Sequence, residues 1–273
     1  MNRRVFALLC SFIALPLAGQ TRSQPQMFLS IFAGAAGGTR LWTVDRQQLL
    51  VLNTQGFLNP VYDTVRLSRR IAPGFAAGIN AAYFPSPYLG YVGEIALLGL
   101  GLEDNCTLVA EDTLFDAQRT NRQLCDNING RAGAASTVAF YGGIIARANP
   151  RGAVVPYARL QAGITSRQSA ATGLSGNFID QTGQTLTRTV YRDDSGHGTN
   201  PSVAAALGMM VPVSAGYQFR LELRDHLLRE QQITGPASVS SAGVPPTQGR
   251  WLHNWALLVH FDIVLEKRRG RRY

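Results

Sequence analysis

Eight stretches of this 273-residue chain, at 27–36, 74–84, 89–102, 134–147, 153–166, 201–212, 217–230 and 250–265, alternate apolar and polar side chains with a period of two. That period belongs to a β-strand with two unlike faces. Residues 41–53 and 64–71 also read as extended and prolong the first two strands, or else form a hairpin of their own and raise the strand count to ten. The connections alternate as well. Short ones carry turn residues: Pro85-Ser86-Pro87, Asn149-Pro150-Arg151-Gly152 and Pro212 to Gly216. Long ones, near 37–73, 103–133, 167–200 and 231–249, are polar and hold Asn, Asp, Gly, Ser and Thr. An even number of strands with short turns on one side and long loops on the other is the layout of a membrane-spanning barrel. In hydrocarbon every backbone N–H and C=O needs a partner, which a closed barrel supplies without leaving an edge. The expected fold class is therefore all-β: an antiparallel up-and-down transmembrane β-barrel of eight strands.

The N-terminus gives the compartment. Arg3 and Arg4 precede an apolar stretch from Val5 to Leu17 and then small Ala18 and Gly19, the order of a secretory signal peptide. The stretch is too short to cross a bilayer as a helix. Gln20 stands where a lipoprotein would carry its lipidated cysteine, so cleavage near Gly19 is expected to release a chain without a lipid anchor. The division is a signal peptide at 1–19, a barrel at 20–266 and a basic tail at 267–273. No later run of eighteen apolar residues offers a transmembrane helix. In an exported membrane barrel of this layout the short turns are expected in the periplasm and the long loops outside the cell.

Which face is apolar separates a membrane barrel from a soluble one. In the last strand Trp251, Trp255, Leu257, Val259, Phe261, Ile263 and Leu265 share one face, with Asn254, His260, Asp262 and Glu266 on the other. The tryptophans stand where an interfacial girdle belongs. Elsewhere Phe219, Leu221 and Leu223 oppose Arg220, Glu222 and Arg224; Leu160 and Ile164 oppose Tyr157, Arg159 and Gln161; Ile95 and Leu97 oppose Glu94. A midplane Arg or Lys facing lipid costs about 2–4 kcal/mol, so these charges must point inward. Eight strands leave just enough room for side chains. Glu94, Arg159, Arg220, Glu222, Arg224, His260 and Asp262 are thus expected to form a hydrogen-bonded ionic core that plugs the lumen, the alternative being a narrow ion, water or proton path along the same residues. A soluble lipocalin-like barrel is the competing architecture, with apolar faces inward and arginines outward.

Cys10 leaves with the signal peptide, so Cys106 and Cys125 form an even pair in an oxidising compartment and are expected to be bonded. A crosslink of that loop size contributes on the order of 3 kcal/mol by the chain-entropy model. The net charge of +9 becomes +7 without Arg3 and Arg4. Much of that excess is the run Lys267, Arg268, Arg269, Arg271 and Arg272, and no basic stripe with interleaved aromatics points to nucleic acid. A solvated end accounts for the run, and attraction to anionic lipid head groups is the sharper reading.

With these features the chain resembles the small eight-stranded outer-membrane β-barrel proteins of Gram-negative-type bacteria. The most specific pieces are the aromatic-rich strand Trp251 to Leu265 and the stretch Phe219-Arg220-Leu221-Glu222-Leu223-Arg224-Asp225. The resemblance implies outer-membrane lipids, lipopolysaccharide and the barrel-assembly machinery as partners. It also implies a terminal aromatic at the end of the last strand, whereas here Lys-Arg-Arg-Gly-Arg-Arg precedes Tyr273, leaving Phe261 or Leu265 as the functional end.

Motifs for chemistry are weak. Asp193-Asp194-Ser195-Gly196-His197-Gly198-Thr199 resembles the catalytic-histidine segment of subtilisin-like proteases, but the nucleophile motif and the preceding aspartate segment are missing. His197, His226, His253 and His260 have no metal-ligand spacing. Glu103, Asp104, Glu111, Asp112, Asp116 and Asp126 follow no calcium-loop spacing, and no glycine-rich phosphate loop opens a helix. No cofactor or metal is expected. The leading expectation is a non-enzymatic barrel that stabilises the membrane or displays loops for recognition, followed by a narrow pore. Last comes a lipid-modifying enzyme, for which His226 with Asp225 is the one nearby polar pair.

Overall fold

The computed structural model describes residues 25–38, 40–52, 60–112, 119–129, 132–167, 173–180, 182–192, 198–214, 216–238 and 243–265. The expected signal peptide, the basic tail with Glu266, and residues 193–197 of the protease-like segment lie outside the described residues. In chain order the elements are β1 (Gln26–Gly38), β2 (Arg40–Leu50), β3 (Tyr62–Phe84), β4 (Leu89–Ala110), α1 (Thr120–Asn129), β5 (Ala132–Arg147) and β6 (Val155–Arg167). There follow β7 (Leu174–Ile179), β8 (Thr185–Tyr191), β9 (Thr199–Ser214), β10 (Tyr217–Ile233) and β11 (Thr247–Leu265).

Each of the eight alternating stretches matches one strand of a closed ring, with 153–166 starting two residues before β6. Neighbours run β3, β4, β5, β6, β9, β10, β11, and β1 closes the circle. It pairs on one side with β11, from Met27↔Leu265 to Gly38↔Asn254, and on the other with β3, from Gln26↔Phe84 to Ala36↔Gly74. All the ring pairings are antiparallel, so no edge is left to meet lipid. β2 pairs with the outer half of β3, from Arg40↔Arg70 to Leu50↔Tyr62, and so continues the first hairpin beyond the ring. The described residues of 41–53, and 64–71, therefore add length rather than a ninth and tenth membrane strand. β3 has 23 residues and β4 has 22, against the roughly 9–11 that cross a bilayer, so their outer halves stand clear of it.

The short turns have local causes. Ser86 Oγ accepts from Leu89 N at 3.0 Å, and Asn149, with φ 48°, takes the left-handed conformation that asparagine tolerates. Outside, the wall is apolar: Leu223 is 51% exposed and Leu257 54%, whereas their strand neighbours Arg224 and Leu258 are fully buried. Tyr83, Tyr91 and Tyr217 mark the turn side of this wall and Trp251 and Trp255 the loop side, all half exposed. Arginines inside and leucines outside is the reverse of a soluble lipocalin-like barrel. This chain is an eight-stranded transmembrane β-barrel.

Candidate functional site

Seven inward positions come from four strands: Glu94 on β4, Arg159 on β6, Arg220, Glu222 and Arg224 on β10, and His260 and Asp262 on β11. The even numbers of β10 place three charged side chains in succession on the inner wall, where all are buried. In the first cluster Arg159 donates to Glu222 Oε1 at 2.7 Å and meets Glu94 Oε2 at 3.0 Å. Arg224 Nε reaches Glu222 at 2.7 Å while its terminal nitrogens engage both oxygens of Glu94. In the second, nearer the turns, Arg220 grips Asp262 at 2.8 Å and donates to Ser30 Oγ at 2.8 Å and Asn80 Oδ1 at 3.0 Å. Gln218 supplies a further bond to Asp262 at 2.6 Å. Three guanidinium groups face three carboxylates, so the buried charge balances. His260 lies tilted against the Phe32 ring, centroids 4.9 Å apart, with Nδ1 3.3 Å from both Asn80 Nδ2 and Arg220 Nη2.

Tyr157, Gln218, Asn80 and Ser30 complete this layer and were not among the residues singled out in the sequence for it. Their signal was parity, since each is a polar residue on the inward face of its strand. Tyr157 donates to Glu222 Oε2 at 2.6 Å across the intervening strand β9. It crosses over Gly208, where a Cβ would stand 2.7 Å from the tyrosine ring, so a side chain there would push the phenol off its bond.

Both ends of the lumen are closed. Toward the turns Phe28, Phe84, Val92, Ile145, Val155 and Met210 pack together. Arg147 lies over them, its guanidinium 4.0 Å from the Phe84 ring and bonded to Pro87 O and Gln26 Oε1. Toward the loops the inner wall turns apolar at Leu98, Leu228 and Leu252, which join one cluster with Trp42, Leu67, Leu124 and Tyr191 of the extramembrane part.

That outer part is a dome tied across the loops. Cys106 on β4 and Cys125 on α1 are disulfide-bonded, and Asn129 both accepts from Cys106 N at 2.6 Å and donates to Cys106 O at 2.9 Å. From the other side of α1, Asn127 Oδ1 accepts from Asn177 N at 2.8 Å and Gln123 Oε1 from Ile179 N at 2.9 Å, which caps the free edge of β7. Asp63 accepts from Asp112 N at 2.7 Å and Asn121 Nδ2 at 2.8 Å. Arg188 on β8 donates to Leu50 O at 2.8 Å and Asn121 Oδ1 at 3.0 Å. Burial lowers the Arg188 pKa from the usual guanidinium value, and the Asp63 charge opposes that shift. Gln47 Oε1 accepts from both Tyr191 OH at 2.9 Å and Ala237 N at 2.8 Å. All four long loops therefore contribute to one unit. Of the acidic loop residues, Glu103, Asp104 and Glu111 pair with Arg70, Arg69 and Arg122.

The pair His226 with Asp225 does not assemble. Consecutive strand residues point to opposite faces, so His226 is buried in the lumen 3.2 Å from the Tyr141 hydroxyl, whereas Asp225 faces outward and meets His253 at 2.6 Å.

Opening the dome by removing its crosslink has a defined expected result. Cys106→Ser with Cys125→Ser should leave the ring intact and loosen only the 103–133 connection. The expected loss is about 2 kcal/mol of local stability, at the low end for a native disulfide because Asn129 also pins the segment. Limited proteolysis of the protein in vesicles checks this, with faster cleavage in that connection and an unchanged membrane core.

No family model matches the chain, and no curated protein matches it significantly. Among solved structures it is similar to neisserial surface protein A, at 9% identity and a TM-score of 0.43 over 88% of this chain and 99% of that one. It is similar to the outer membrane protein OprG from Pseudomonas aeruginosa, at 11% identity and a TM-score of 0.45 over 88% and 96%. It is also similar to Ail, the attachment invasion locus protein of Yersinia pestis, solved with the heparin analogue sucrose octasulfate, at 15% identity and a TM-score of 0.32 over 87% and 99%. At these scores the likeness adds nothing to what ring closure and an apolar exterior establish for this chain.

Proposed function

We propose that this bacterial outer-membrane barrel is closed and non-catalytic, and that its function lies in the outer dome, a preorganised surface for recognition. The observation that carries this reading is the filling of the lumen: a charge-balanced layer between two apolar plugs, beneath loops cross-tied by a disulfide and side-chain bonds. A dome held in one shape meets a partner without first paying to order its loops. An ion path would have to break both plugs, and the sealed layer argues against it. Outer-membrane lipids and lipopolysaccharide surround the wall, and the assembly machinery inserts it; the basic tail, read as a solvated end, needs no ligand.

Cells producing the protein are expected to bind an external surface or soluble macromolecule in a manner lost when 174–191, the β7–β8 hairpin, is replaced by a short Gly-Ser linker, with the boiling-dependent gel shift of the barrel retained. Reconstituted protein is expected to be silent in planar bilayers. Steady conductance altered by Arg220→Ala would overturn the reading in favour of a pore.

A further inference from the structure

The β7–β8 hairpin of the dome has two edges, and only one of them is capped. Asp180 N donates to Gln184 O at 2.9 Å across the turn, where Gly183 takes φ 78°, so residues 180 and 184 form a hydrogen-bonded pair. Such pairs recur every second residue along an antiparallel ladder. Phe178↔Leu186 and Gly176↔Arg188 are therefore bonded pairs too, whereas Ile179↔Thr185, Asn177↔Thr187 and Ser175↔Thr189 aim their N–H and C=O groups away from the hairpin. On β7 the outward groups meet α1: Asn177 N and Ile179 N donate to the side chains of Asn127 and Gln123. On β8 the outward N–H and C=O of Thr185, Thr187 and Thr189 have no hydrogen-bond partner among the described residues.

An open edge is a template for another strand, and proteins blunt such edges with proline, charge, a bulge or a covering segment. Among the described residues none of these protects 185–189. The stretch holds no proline and no acid, and its one charge, Arg188, is tied inward to Leu50 O and Asn121 Oδ1. The register irregularity of the hairpin lies on the other strand, at Leu174/Ser175. A neighbouring segment reaches this edge only at Arg192 N, which donates to Gly243 O at 3.0 Å. Thr185, Leu186, Thr187 and Thr189 are all exposed.

The residues of the edge decide which strand fits it. In Thr185-Leu186-Thr187-Arg188-Thr189 the positions that carry the outward groups are symmetric about Thr187. Laid antiparallel against a second copy of itself, with Thr187 opposite Thr187, the edge sets Thr185 opposite Thr189, and every outward N–H and C=O of the three threonines finds a partner. Threonines directly opposite one another are favourable cross-strand pairs. On the other face Leu186, 42% exposed, falls opposite Arg188 of the second copy and covers its methylene stem. A foreign strand satisfies the same backbone groups, but only the symmetric run selects its own side chains.

We propose that β8 pairs antiparallel with β8 of a second copy about Thr187, joining two hairpins into one sheet around a two-fold axis. The sheet then ends on both sides at β7, which α1 already caps. The pairing depends on the dome holding the hairpin and not on the external partner proposed above, so either can fail alone.

Sedimentation of the mature protein in detergent micelles, where two copies are free to meet in any orientation, tests this. The unaltered protein should pass from monomer to dimer as its concentration rises. Thr187→Pro removes an N–H that points away from β7, so the hairpin keeps its ladder while the joined edge loses a bond from each copy, and dimerisation should weaken about tenfold or more. Should the proline disturb the hairpin, charge gives a second test. Because position 187 faces itself, Thr187→Lys and Thr187→Glu should each stay monomeric where the unaltered protein dimerises, and an equal mixture of the two should restore the dimer. A protein that is monomeric at every concentration would overturn the proposal, as would a dimer indifferent to Thr187→Pro or charged variants that do not rescue each other. A monomer whose cell binding is lost on Thr187→Pro would assign the edge to a foreign strand, and so overturn the second copy as its occupant.

Discussion

Glu222→Ala is expected to destabilise the barrel more than any other single change in the lumen, by about 3–5 kcal/mol, the usual cost of removing one partner from a buried ion pair. Glu222 accepts from Arg159, Arg224 and Tyr157. Its loss leaves two buried guanidinium groups sharing Glu94 and one phenol without an acceptor. The measurement is the urea midpoint of the band that resists unfolding without boiling, taken in vesicles. A second variant separates charge imbalance from lost volume. Glu222→Leu combined with Arg224→Leu restores neutrality with apolar side chains, and should recover a large part of the loss, because a pair replaced together by apolar groups is often close to neutral. Equal midpoints for Glu222→Ala and the unaltered protein would show that the layer is not structural, and would reopen the idea of a solvated path.

The barrel and its inner layer were legible because the same two-residue period governs both. Once Leu223 and Leu257 are placed against lipid, Arg224 and Leu258 have no other direction to point, and the strand register only decides which inward residues meet. The same rule, applied to Asp225 and His226, would have separated them from the start. Of the dome, the Cys106–Cys125 crosslink was legible and the side-chain ties were not. Its contacts, such as Gln47 with Ala237 and Arg188 with Leu50, join segments more than a hundred residues apart by single side chains, and no local pattern announces them. Two of its elements did leave a trace. Leu124 and Ile128 stand four apart around Cys125 and give α1 its buried stripe within a polar stretch. Thr185–Tyr191 alternates like a strand inside what reads as a loop.

Leu223→Arg gives the sharpest test of which way the barrel faces. Leu223 is half exposed on the outer wall and pairs with Leu207 and Leu257, about midway between Tyr217 on the turn side and Trp251 on the loop side. In hydrocarbon an arginine there should cost about 2–4 kcal/mol, and the penalty should fall to about 0–1 kcal/mol near the interface. Tyr217→Arg is therefore the matched control: the same charge on the same strand and face, at the edge of the belt. Folding yield into vesicles and the urea midpoint should both drop for Leu223→Arg and change little for Tyr217→Arg. A water-exposed wall makes the opposite demand, because an arginine replacing a half-exposed leucine in water is close to neutral and improves solubility. The depth dependence, rather than the loss itself, identifies the solvent. An arginine that merely disturbed packing between β9, β10 and β11 would disturb it about equally at both positions. Only a low-dielectric slab charges more at its centre than at its face.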